Sequence, residues 1–165
     1  MKAEDRTIVA EHATKGVLPD TNVLLLFLVG SFDKGFIREF KRTAMYTADD
    51  YEIIRRLLGG FQKIVITPHV LTEVSNFSMK ITEPKLSRYL AVLVKTILQY
   101  KEHHVPKESI LPSPLLPKLG VTDLSIMEAA REEGCLVLTD DWPATNALRK
   151  AGCHVLNFSN LRWGR

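Results

Sequence analysis

Four acidic positions are set apart by where they fall in the chain: Asp20, Glu73, Asp123 and the pair Asp140-Asp141. Asp20 directly follows a short extended stretch at 17–19. Glu73 lies within the helix that follows the β-branched run at 63–67. Asp123 opens a helix, and Asp140-Asp141 directly follow the apolar run at 135–139. In an open parallel sheet the functional crevice lies beyond the carboxyl ends of the strands, so these positions converge on one edge. Carboxylates gathered on a partly buried edge repel one another and lose hydration, which demands a counter-cation. Oxygen ligands without histidine or thiolate fit Mg²⁺ or Mn²⁺ rather than zinc. Such an ion lowers the pKa of a bound water and stabilises charge on a phosphodiester in transit. Taken singly, each acid also has an ordinary reading. Asp20 is a turn residue, Glu73 a helix-surface acid, Asp123 a favourable charge at a helix start, and Asp140 or Asp141 a cap for the helix that Pro143 begins. The convergence outweighs those separate readings.

The elements that must hold these acids are legible from period and punctuation. Residues 1–15 are polar and without period, and read as a loosely held arm. Residues 16–158 form the domain and 159–165 a tail. After Asp20 comes an apolar helical run to Gly30, then a helix over 34–43. Thr47 with Asp50 three residues on is a capping box that opens a helix ended by Gly59-Gly60. Residues 63–67 are a strand, and Thr67 caps a helix with Pro68 at its first position. On that helix Val70, Val74, Phe77 and Ile81 form the buried stripe, with Glu73 on its flank. The next helix begins near Pro84 and buries Leu86, Tyr89, Leu90, Leu93, Val94, Ile97 and Leu98. Proline-rich 106–117 leaves room for a strand around 109–111. Residues 121–133 are a helix closed by Gly134, 135–139 a strand, 143–151 a helix closed by Gly152, and 153–158 the last strand. Short apolar strands alternating with helices give an α/β fold, with a parallel sheet of about five strands covered on both faces.

Bulk properties agree. The chain has 165 residues, 45% apolar and 25% charged, enough for one domain with a proper core. No apolar run reaches the roughly 20 residues that span a bilayer, and no secretory signal is visible. Cys135 and Cys153 each open an apolar run. Buried free thiols suit a reducing compartment, with the cytoplasm as the expected location, although one disulfide stays open. The net charge of +3, from 22 basic and 19 acidic residues, permits an anionic partner without demanding one.

The strings Leu18-Pro19-Asp20-Thr21-Asn22, Pro68-His69-Val70-Leu71-Thr72-Glu73-Val74, Thr122-Asp123-Leu124-Ser125-Ile126 and Leu138-Thr139-Asp140-Asp141 resemble, in this order, the blocks of the PIN-domain nuclease family, VapC-type toxins included. The resemblance covers residues 16–158. It implies a single PIN-like domain with the first strand central, and Asp20, Glu73, Asp123 and Asp141 binding one or two Mg²⁺ or Mn²⁺ ions to cleave RNA. By the family's Thr-x-Asp pattern the fourth acid is Asp141, with Asp140 its bystander. Thr139 and Asn22 would support the carboxylates by hydrogen bonding. An antitoxin protein as partner and a homodimer are further implications of the resemblance; the short apolar runs add the expectation of no membrane partner.

Other residues offer weaker chemistry. Lys34, Arg38, Lys41 and Arg42 fall at i, i+4, i+7 and i+8, a basic stripe that tracks phosphates or is simply a solvated face. Trp142, beside Asp141, either stacks on a base or packs on the last helix. The tail Arg162-Trp163-Gly164-Arg165 offers a ring and two charges or a frayed end. The histidines have no partners at metal-ligand spacing. Two further functions compete with the endoribonuclease: a non-catalytic PIN-like module that binds RNA or protein, and an aspartate-based phosphotransferase. The last would want an acid two residues after the nucleophile, where Asn22 stands.

Overall fold

A strand buried at every position must be covered on both faces, and Leu136–Thr139 is such a strand. Its layers are supplied in the order α1 (Ala3–His12), β1 (Val17–Pro19), α2 (Thr21–Phe32), α3 (Phe36–Glu39), α4 (Ala48–Leu58), β2 (Val65–Ile66), α5 (Pro68–Ser78), α6 (Lys85–Ile97), β3 (Lys101–Glu102), α7 (Lys107–Ile110), α8 (Leu116–Glu133), β4 (Leu136–Thr139), α9 (Trp142–Lys150), β5 (Val155–Asn157) and α10 (Phe158–Trp163). This computed structural model describes residues 2–163, with Trp163 described by its backbone alone.

The fold is mixed α/β, with a three-stranded parallel sheet in the order β1-β4-β5 and a two-stranded parallel sheet β2-β3. The two meet where Val17 and Ile64 form a single parallel bridge and the Val17 N–H donates to the Lys63 carbonyl at 3.1 Å. Beyond β1 the pairing with β4 continues into the first site residue, because the Asp20 N–H donates to the Leu138 carbonyl at 2.9 Å. Helix α2 is apolar almost all round, burying Val23, Leu24, Leu25, Leu26, Leu28 and Val29, so it runs through the core rather than along it. Both cysteines are free and buried. No helix among the described residues is long and apolar enough to cross a membrane.

Several sequence expectations are corrected. Residues 3–12 form α1 instead of a loose arm; His12 is buried there, its Nδ1 at 2.8 Å from the Ile8 carbonyl, and its ring lies 4.6 Å from that of His154. The helix expected over 34–43 is only α3, four residues long. Phe40 is extended, and the buried Thr43 hydroxyl takes the Ile37 carbonyl at 2.8 Å, so the helix cannot continue. Residues 109–111 are not a strand. The third strand is β3, polar and exposed, held because Lys101 and His103 N–H groups donate to the Ile64 and Ile66 carbonyls at 2.9 Å. Helix α6 buries only Tyr89 fully, and Leu98 is 81% exposed. The last helix turns of the chain are α10, whose Arg162 reaches back to Asp50 at 3.1 Å and to the Met45 carbonyl at 2.9 Å. Arg162 therefore ties an element down. The Trp163 side chain, Gly164 and Arg165 lie outside the described residues.

Candidate active site

Asp20 is placed by α2, whose start it caps. Its Oδ1 accepts the Val23 N–H at 2.8 Å, and its Oδ2 accepts the Asp140 N–H at 3.3 Å. The Thr139 hydroxyl also bonds this carboxylate. The residue is 7% exposed. Burial, and next the neighbouring Asp140 charge, push its carboxyl up to about 7, with Asp123 adding to the rise.

Glu73 is placed by α5. Thr67 caps that helix with its hydroxyl on the Val70 N–H, Val70 and Val74 bury its core face, and Glu73 stands on the flank. The Thr21 hydroxyl donates to Glu73 Oε2 at 2.7 Å. Thr21 is thus a supporting residue that the sequence reading missed; nothing in sequence joins two positions so far apart.

Asp123 follows a break in α8, where Gly120 adopts φ 74° and ψ 176° and interrupts the helical backbone. A side chain at that φ is strained, which is what glycine avoids. Past the break, the Ser125 hydroxyl bonds the Thr122 carbonyl at 2.7 Å and the buried Thr67 hydroxyl at 2.9 Å, pinning the start of this segment to the start of α5. The Asp123 carboxylate makes no hydrogen bond to any described residue. Burial, then the charges of Asp141 and Glu73, push its carboxyl up to about 6.

Asp141 caps α9 through Oδ1, which accepts the Ala144 N–H at 2.7 Å, and its own N–H donates to Thr139 Oγ1 at 3.0 Å. Thr139 therefore bears on both Asp20 and Asp141. The Asn22 side chain makes no hydrogen bond to the Asp20 carboxylate. Its amide donates to Asp140 Oδ1 at 3.3 Å, and the buried Tyr46 hydroxyl donates to Asp140 Oδ2. Asp140 thus faces Tyr46 and Asn22, gives its backbone N–H to Asp20, and supplies the charge that helps raise the Asp20 carboxyl.

Asp20, Glu73, Asp123 and Asp141, with Thr21, Asn22, Phe77 and the 119–122 segment, line one cleft of about 270 Å³. No lysine or arginine among the described residues forms an ion pair with any of the four. An all-oxygen set lacking a counter-charge fits a hard divalent cation in donor chemistry. As they stand, no three such side chains among the described residues form a group that could hold a metal.

The basic stripe does not exist as such, because α3 ends before Lys41. Lys34 pairs with Glu52 at 2.6 Å and Arg38 donates to the Ala44 carbonyl at 3.2 Å. Lys41 is exposed, and the Arg42 guanidinium lies 3.8 Å from the Phe77 ring centroid. Trp142 is 46% exposed. At the other end of the strands Glu133, the last residue of α8, accepts from Lys63 and Lys101 at 2.8 Å, and its carboxylate meets the His103 ring at 2.8 Å.

Among solved structures, the chain is similar to a domain of a functionally unknown protein from Methanocaldococcus jannaschii, at 20% identity and a TM-score of 0.47 over 86% of this chain and 89% of that one. No family model matches the chain, and no curated protein matches it.

Proposed function

We propose that this chain is a PIN-type endoribonuclease, dependent on Mg²⁺ or Mn²⁺, that cleaves phosphodiester bonds of single-stranded or structured RNA. The observation that carries the reading is the convergence of four carboxylates from four separate elements on one cleft with no basic partner. In this reading the two sheets are one, in the order β3-β2-β1-β4-β5 through the Val17–Ile64 bridge, and β1 is central.

Asp20, Glu73, Asp123 and Asp141 would hold the ion, which when bound supplies an activated water and charge stabilisation at the phosphate. The remaining work belongs to the chain. The Val23 and Asp140 N–H groups and the Thr139 hydroxyl fix the orientation of Asp20. The Thr21 hydroxyl holds Glu73 toward the same space. Asp123, its carboxylate free of hydrogen bonds to described residues, is the acid with most freedom to turn onto a ligand. Gly120 allows the 119–122 wall to bend around the cleft. A toxin role with an antitoxin partner, homodimer assembly and a cytoplasmic location accompany this reading.

The absence of a ready three-residue metal group among the described residues favours a second reading, a non-catalytic PIN-like module that binds RNA or protein. Incubation of pure protein with single-stranded RNA in Mg²⁺ or Mn²⁺, and in excess EDTA, separates the two. The nuclease cleaves only with metal. Cleavage that survives EDTA, or no cleavage in either condition, rejects the proposal.

A further inference from the structure

We infer that Arg42, seated on Phe77, is the phosphate anchor at the lip of the acid cleft, an inference that rests on reading the cleft as an RNA site. A phosphodiester approaching four uncompensated carboxylates is repelled, so its approach needs a cation beside the acids and outside their reach. Phe77 lines the cleft one helical turn after Glu73, on the same face of α5. The Arg42 guanidinium lies 3.8 Å from that ring's centroid, closer than any other cation–ring pair among the described residues. Lys80 adds a second charge, its Nζ 6.0 Å from the same centroid.

The availability of Arg42 matters as much as its position. Stacking uses the flat face of a guanidinium and leaves its N–H edge open to a phosphate. Other arginines spend those donors inside the protein. Arg38 donates to the Ala44 carbonyl, Arg149 to the Val155 carbonyl, Arg131 to the Ala151 carbonyl and Arg162 to Asp50. Arg42 forms no hydrogen bond or ion pair with any described residue. The early end of α3 is what frees it: on a continued helix it would share a face with Lys34 and Arg38. The side chain is exposed, immobilised on one face, unspent on its edge and fixed to the wall of an acidic cleft. Its ligand is the backbone phosphate of a single-stranded nucleic acid.

The test is fluorescence anisotropy with a fluorescein-labelled single-stranded oligoribonucleotide in EDTA, across a range of KCl concentrations. The proteins are wild type, Arg42→Ala, Arg42→Lys and Arg88→Ala. Arg88 is the matched control, a cation 5.7 Å from the Phe32 ring centroid, and Phe32 does not line the cleft. Arg42→Ala should weaken binding about tenfold at low salt and reduce the slope of log affinity against log salt by about 0.7, one single-strand phosphate contact. Arg42→Lys should restore the slope and only part of the affinity. Arg88→Ala should match wild type. Binding by Arg42→Ala within about twofold of wild type at unchanged slope, or an equal loss in Arg88→Ala, overturns the anchor. Cleavage of the same oligonucleotide in Mn²⁺, with Asp20→Asn alongside, judges the nuclease reading separately. If wild type does not cleave, or Asp20→Asn cleaves as well, that reading falls while the binding comparison still decides Arg42.

Discussion

Glu133, with its side chain 8% exposed, meets two lysines and a histidine at the end where the strands begin, while Asp20, 7% exposed, meets no basic partner where they end. Asp20 is the more deeply buried of the two, and their proton affinities move in opposite directions. Hydrogen bonds from Lys101 and Lys63 hold Glu133 down at about 2, and burial beside Asp140 lifts Asp20 to about 7. Depth without compensation raises one carboxylate, and compensation near the surface lowers the other. Lys63 enters β2, Lys101 opens β3 and Glu133 precedes β4, so the joint ties three strand starts together. The acid cleft lies beyond the other ends of β1 and β4.

The largest effect that would sharpen this contrast is on turnover. Asp20→Asn and Asp123→Asn should each lower metal-supported RNA cleavage by about a hundredfold or more, as removal of a transition-state contact does. The thermal shift given by Mn²⁺ to wild type, about 1.4 kcal/mol at tenfold over Kd, should vanish with them. A shift that persists in Asp123→Asn removes that residue from the site.

Next in size is the pH response of the metal-free protein. Asp20 and Asp123 bind protons more tightly when folded than when unfolded. Their contribution is therefore fully present below the ordinary carboxylate pKa and is lost as pH rises through about 6 and then about 7. Stability in EDTA should fall by about 4 kcal/mol between pH 5 and 8, and Asp20→Asn should remove the larger part of that fall. Glu133 has the opposite sign, stabilising above pH 4.5 and losing that contribution as pH falls toward 2. A melting temperature independent of pH from 5 to 8 would mean that the cleft carries no stored repulsion.

A smaller change is expected at the joint. Glu133→Gln strands Lys63 and Lys101 near one another and should cost about 2 kcal/mol in urea unfolding, a figure reduced by the exposure of both lysines. Its cleavage rate at low temperature should stay near that of wild type. A loss of activity larger than the loss of stability would couple the two ends and break the comparison. The smallest effect belongs to Tyr46→Phe, which removes one hydrogen bond to Asp140 and should cost about 1 kcal/mol. It should slow cleavage a few-fold by loosening the 139–141 turn. Tyr89→Phe, which loses a bond to Ser78 away from the cleft, should leave cleavage unchanged. Equal effects of the two on cleavage would deny Tyr46 any part in the site.

What was legible in the sequence follows from how local each cause is. Thr67 before Pro68, Gly134 after the helix through 133, and the stripe Val70–Val74 are signals within a few residues, and the structure has all of them. Asp20, Glu73 and Asp141 could be gathered because each directly follows or closely trails a strand, and parallel strands share an edge, whereas Asp123 was placed by an expected strand at 109–111 that the structure replaces with α7. Strand β3 left no trace because both of its side chains are exposed and only backbone bonds to Ile64 and Ile66 define it. Helix α1 has almost no amphipathic period to read. The expected helix over 34–43 kept its period while the Thr43 hydroxyl ended it. Asp140, treated as a bystander, proved to be joined to Tyr46, and Glu133 to Lys63, by bonds that no spacing rule anticipates.

Asp20 and Asp141 each start a helix with the same carboxylate that faces the cleft. That double use bears on how descendants of this sequence would change if the proposed nuclease activity were lost. At positions 20 and 141 an Asp, or an Asn or Ser in its place, would still be retained for the helix start alone. Glu73 and Asp123 make no cap bond, so drift would reach them first. Inheritance of Glu73 together with Asp123, rather than of the Asp20 block that catches the eye, is therefore the mark by which a working lineage and a retired one would be told apart.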